Sequence, residues 1–141
     1  MEIEDLRKIK LEETSNFRIL MLHTSIKSAI GNIPIDSINI EELPEADYYA
    51  LGHLHLIHEY KKADDKYLVY PGPIFPNNFQ ELEDLSFGSF YIIDINGYVK
   101  LTKKELKLKE VLVLDIELEN ALTATEKILS ELEKQNLEDK I

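Results

Sequence analysis

The sequence predicts an α+β fold, a mixed sheet with flanking helices, and three observations carry that reading. Residues 17–22 (FRILML) and 47–51 (DYYAL) are apolar runs of strand length, read as strands buried on both faces. Residues 87–95 (FGSFYIIDI) are aromatic and β-branched and run into Asn96-Gly97, the strongest short hairpin signal. Residues 120–135 place Thr125, Ile128, Leu129 and Leu132 on one helical stripe.

Taken in order, residues 2–13 (EIEDLRKIKLEE) set Ile3, Leu6, Ile9 and Leu11 among charges, which predicts a short amphipathic helix. Thr14-Ser15-Asn16 break it, and the first strand ends at His23. Residues 25–30 predict a helical turn stopped by Gly31-Asn32 and Pro34, followed by connecting structure with weak alternation at Ile38, Ile40 and Leu43. The second strand opens into Gly52-His53-Leu54-His55. Residues 59–66 (EYKKADDK) read as a polar turn and 67–70 as a short strand. That strand is stopped by Pro71-Gly72-Pro73, whose Pro-Gly step suits a type II turn. Residues 75–85 read as a loop rich in Asn and carboxylates. After the Asn-Gly turn, residues 98–108 return as the partner strand, with alternation that breaks at Lys103-Lys104. Residues 110–118 (EVLVLDIEL) predict a further strand. The final helix has a capping-box candidate at Thr123-x-x-Glu126, and the polar end reads as frayed.

A length of 141 residues suits one domain, and 44% hydrophobic with 30% charged residues is a globular composition. No apolar run approaches the roughly 20 residues of a membrane span. Met1 is followed by the charged EIEDLRKIK rather than a signal peptide, so a cytoplasmic location is expected. The absence of cysteine excludes disulfides, thiolate nucleophiles and cysteine-based zinc sites. A net charge of -11 leaves no obvious basic face for phosphates. Lys100, Lys103, Lys104, Lys107 and Lys109 make a local patch, read as a solvated face in preference to a DNA contact. The acidic balance weakly suits collection of divalent cations.

Chemistry concentrates at the strand-end histidines. His53 and His55 are two residues apart, so in an extended backbone they share a side, with Cβ atoms roughly 6–7 Å apart. Metals of a hydrolytic pair sit roughly 3.5–4 Å apart, so the two imidazoles can serve one ion or two. Gly52 lets the backbone approach a ligand closely. A surface strand with incidental histidines satisfies the same spacing. His23 ends the other buried strand, where open α/β sheets place ligands; a histidine hydrogen-bonded at a core edge is the alternative. If the two strands are neighbours, the three imidazoles converge, and imidazole with carboxylates suits zinc, iron, nickel or manganese.

Together, His23 and Gly52-His53-Leu54-His55 resemble the carboxyl-terminal half of the calcineurin-like metallophosphoesterases. The stretches ILMLH (19–23), DYYALGHLH (47–55) and VYPGPIFPNNF (69–79), with GSFY (88–91) after them, resemble in order and spacing the nuclease subunit of the double-strand-break repair complex (the Mre family, SbcD in bacteria). The resemblance covers residues 17–100 and only weakly 101–141. It implies a partial metallophosphoesterase β-sandwich over residues 1–100 and the start of a small αβ DNA-binding capping domain over 101–141. It implies that His23 and His53 ligate one metal and His55 the other, usually manganese, in a two-metal site that activates water against a DNA phosphodiester. The coiled-coil, SMC-like repair ATPase is the implied partner. His58 is read as a non-ligand, and Pro73 stands where the family has Ser. The family's Asp-x-His, bridging Asp and Gly-Asn-His with its catalytic His are not found in this chain. It is therefore expected to hold no catalytic residue, to be inactive alone, and to pair with a missing amino-terminal nuclease half or self-associate through an exposed apolar patch. Two other readings compete: a phosphoesterase acting on small phosphodiesters, and a non-catalytic interaction module.

Overall fold

The computed structural model describes residues 3–63 and 65–141; Glu2, at the start of the first expected helix, and Asp64, within the expected turn, lie outside the described residues. The principal sheet has four strands: β1 (Ile19–His23), β2 (Tyr48–Gly52), β3 (Ile57–Lys61) and β4 (Tyr67–Pro71), in the order β1-β2-β4-β3. β1 and β2 are parallel, as are β2 and β4, while β3 runs antiparallel to β4. A mixed sheet with few helices is thus what folds.

Strand alternation gives this sheet two faces. One carries Leu20, Leu22, Tyr49, Leu51, Leu68 and Tyr70, all buried. It packs against Ile26, Ile38, Ile40, Leu43 and Ala46 from the β1–β2 crossover, and against Leu6 of the amino-terminal helix α1 (Ile3–Leu6). The crossover holds a single turn, α2 (Lys27–Ile30), and a 3-10 turn at Ile40–Glu42. Two tyrosines fasten it to the sheet. The Tyr70 hydroxyl accepts from the Ile26 N–H at 3.0 Å and donates to the Thr24 carbonyl at 2.7 Å. The Tyr49 hydroxyl accepts from the Ala46 N–H at 3.0 Å and donates to the Pro44 carbonyl at 3.1 Å.

The opposite face is covered unevenly. A hairpin, β5 (Gly88–Ile95) with β6 (Val99–Leu106), lies against the β4 side. Ser89 donates to the Pro71 carbonyl at 2.5 Å, and the Tyr91 hydroxyl donates to Glu59 on β3, also at 2.5 Å. Gly88 makes the approach feasible: a Cβ there would lie 1.6 Å from the Ile74 carbonyl oxygen. Over β1 this face is open, while Tyr48 of β2 is buried beside it. Ile19 is 55% exposed and Met21 78%.

Several expectations are corrected. β1 is buried on one face rather than both, because nothing among the described residues covers Ile19 and Met21 on its other side. The amino-terminal helix is shorter than expected, stopping at Leu6. The polar segment at 59–66 was read as a turn, but Ile57–Lys61 is the edge strand β3 and the turn closes between Lys62 and Lys66. Residues 75–85 contain helix α3 (Phe79–Leu85), started by Asn78, whose side chain accepts from the Glu81 N–H. Strand β6 continues through Lys103-Lys104, because pairing with β5 overrides the local break in alternation. Residues 110–118 form no strand beyond a bridge at Glu110, since their backbone pairing among the described residues is confined to Glu110 and Leu112 against residues 139–141. Helix α4 (Ala121–Glu133) is capped by Asn120, which accepts from the N–H groups of Leu122 and Thr123, rather than by Thr123. None of its residues is buried. Among the described residues no helix is long and apolar enough to cross a membrane.

Candidate metal centre

The parallel register sets His23 directly beside Gly52, so both histidine-bearing strands end at one level. His53 follows at once, and the His23 and His53 rings meet edge to face with centroids 5.1 Å apart. With metal–nitrogen bonds of about 2.0–2.1 Å, two imidazoles on one ion have ring centres roughly 5 Å apart. The pair therefore fits part of a metal donor set. Gly52 leaves room for this ring: a Cβ would stand 3.1 Å from the His23 Nδ1, close enough that the imidazole would have to shift slightly. His53 itself has φ 90°, a left-handed conformation that costs a non-glycine residue on the order of 1–3 kcal/mol and clusters at functional sites.

His55 is placed differently. It lies on the β2–β3 connection, half-exposed, with Nδ1 2.9 Å from Oε1 of Glu81 on α3. Glu81 is clamped in turn. Its Oε2 accepts from the Asn77 N–H at 2.7 Å and its Oε1 from the Asn78 side-chain amide at 2.8 Å. The Asn77 N–H, and next the His55 imidazole, hold the Glu81 carboxyl below its usual pKa. Among the described residues no group of three or more His, Cys, Asp or Glu side chains is gathered closely enough to hold a metal ion. His23 and His53 are thus together, and His55 is held apart on its own carboxylate. Glu81 escapes a sequence reading that treats 75–85 as loop, although Asn78-x-x-Glu81 has the spacing of a helix start.

Other candidates fall elsewhere. Asp47 sits at the opposite strand end, accepting from the Arg18 N–H at 2.7 Å. His58 lies on β3 across from Tyr70. In the lysine patch, Lys103 and Lys107 pair with Glu105, and Lys109 pairs with Asp139. This is the pattern of a solvated face.

The chain is thus an α+β protein with paired histidines at the carboxyl ends of adjacent parallel strands. No family model matches it. It is 31% identical over 122 residues to the DNA double-strand break repair protein Mre11 of Methanocaldococcus jannaschii, which covers 82% of this chain and 30% of the relative. It is 39% identical over 67 residues to the Mre11 of Archaeoglobus fulgidus, covering 45% of this chain and 15% of the relative. The chain belongs to the Mre11 family of DNA double-strand break repair proteins. It spans less than a third of the length of these relatives.

Proposed function

We propose that this chain supplies the histidine side of a two-metal phosphodiesterase centre in an Mre11-family DNA nuclease. The observation that carries the proposal is the His23–His53 pair, 5.1 Å apart at the ends of neighbouring parallel strands. In this reading His23 and His53 hold one ion and His55 the other. Divalent cations, manganese in the family reading, supply a water of lowered pKa and charge neutralisation at the scissile phosphate. Gly52 keeps space for the His23 ring, and the three histidines would hold the ions at the strand ends. The bridging Asp, the other carboxylate ligands and the proton-donating His come from the amino-terminal half of the nuclease, in which Asp-x-His and Gly-Asn-His occur. Its strands cover Ile19 and Met21 on the open sheet face, completing the β-sandwich. Residues 101–141 begin the capping domain, and the assembled enzyme works on DNA with the coiled-coil ATPase in the cytoplasm.

The test is complementation. The chain is combined with a segment carrying Asp-x-His, the bridging Asp and Gly-Asn-His, and manganese binding and DNA cleavage are measured. The expected result is manganese-dependent cleavage that the double variant His53→Ala/His55→Ala abolishes. Cleavage confined to small phosphodiesters moves the substrate to that class. Inert mixtures with histidines indifferent to manganese overturn the reading in favour of a non-catalytic interaction module. The lack of a three-ligand group among the described residues would then stand as its basis.

A further inference from the structure

We propose that Glu81 is the positioning residue for His55, fixing which of its ring nitrogens is offered to a metal. This rests on the proposed function, in which His55 is a ligand. An ionised carboxylate only accepts hydrogen bonds, so a 2.9 Å contact to Glu81 Oε1 requires the hydrogen on His55 Nδ1. In the neutral ring that leaves the lone pair on Nε2. Metal-ligating histidines commonly donate their second ring N–H to a carboxylate, which sets both tautomer and ring orientation.

Two features separate this pair from a chance surface contact. The carboxylate has anchors independent of His55: the Asn77 N–H, the Asn78 amide and its own backbone N–H on Asn78 Oδ1. Glu81 is also the better covered partner, its side chain 17% exposed against 51% for His55. The rigid partner is thus the carboxylate, and the loop-borne imidazole is the group being aimed. The start of α3 therefore controls the aim of a histidine 26 residues earlier.

The experiment reads the His55 tautomer by long-range ¹H–¹⁵N NMR on the whole chain without metal, at a pH where the ring is neutral. The wild type is expected to carry the hydrogen on Nδ1. Glu81→Ala is expected to move it mainly to Nε2, and Glu81→Gln, whose side-chain oxygen still accepts, to restore Nδ1–H in part. Asn78→Ala removes two of the carboxylate's anchors but keeps the acceptor itself, held by the Asn77 N–H, and should shift the tautomer clearly less than Glu81→Ala. A wild-type Nε2–H tautomer, or an equal change in Asn78→Ala and Glu81→Ala, overturns the proposal. In the complemented protein, Glu81→Ala should weaken manganese binding about 10- to 100-fold. Unchanged affinity there, with His55→Ala still impaired, overturns the positioning role alone. Unchanged affinity in His55→Ala overturns the reading on which it rests.

Discussion

The two faces of β1 are built from the same kind of residue and meet opposite fates. Leu20 and Leu22 are 8% and 7% exposed, while Ile19 and Met21 on the other side are 55% and 78% exposed. Hydrophobicity along a strand reports that a face is meant to be covered, and only tertiary structure says by what. On the sealed face the cover is the crossover between β1 and β2, pinned by Tyr49 and Tyr70. On the open face the cover reaches Tyr48 of β2 and stops short of β1. The comparison yields its largest expected effect at Leu22. Leu22→Ala should lower stability by about 2–5 kcal/mol in urea denaturation, since it leaves a cavity in packed structure. A loss below about 1 kcal/mol would mean that the sealed face is loosely packed and that the two faces do not differ as described.

The next effect is read by pH, at one buried tyrosine on each face of the sheet. Burial pushes the Tyr70 phenol up to about 12, with its Ile26 hydrogen bond acting weakly in the other direction. Burial, and then Glu59, push Tyr48 up to about 12. An unfolded chain releases these protons near its ordinary tyrosine value of about 10. Above that pH the unfolded state binds fewer protons than the folded one, so stability falls as pH rises. Stability from these groups should be intact below pH 10 and lost between 10 and about 12, by about 2–3 kcal/mol per tyrosine at most. Burial and the Glu59 hydrogen bond raise Tyr91 as well, so Tyr70→Phe should remove roughly a third of the tyrosine slope. It should also cost about 1–3 kcal/mol at neutral pH, because the buried Ile26 N–H loses its acceptor. Denaturation curves at pH 7, 10 and 11.5 check both; an equal slope in the variant would mean Tyr70 ionises freely in the folded chain.

How much was legible beforehand follows from the same contrast. The runs ending at His23 and Gly52, and the Asn96-Gly97 hairpin, are visible because burial and turn chemistry are written locally. Strand β3 was not, since as an edge strand it needs few apolar residues, and its sequence Ile57–Lys61 reads as polar. Helix α3 hid behind Pro76 and two asparagines, although Asn78 and Glu81 stand at capping distance. The proximity of His23 and His53 followed from assuming neighbouring strands. The departure of His55 toward Glu81 did not, because it depends on a helix 26 residues away. Residues 110–118 alternate as a strand should, but a strand is a pairing, and among the described residues only Glu110 and Leu112 find backbone partners, in residues 139–141.

The smallest effects belong where an apolar pattern lacks cover. Met21 on the open face and Leu129 on α4, 54% exposed, are the examples. Met21→Ala and Leu129→Ala should each change stability by no more than about 0.5 kcal/mol, because little surface leaves water when the chain folds. This is the sharpest way to break the comparison. If Met21→Ala costs as much as Leu22→Ala, something covers the open face in solution, and a second copy is then the only occupant available in a pure sample. Its loss should in that case grow with protein concentration, since association adds stability by mass action. A small and concentration-independent change at Met21, beside a large one at Leu22, means that this side of β1 faces solvent in the isolated chain.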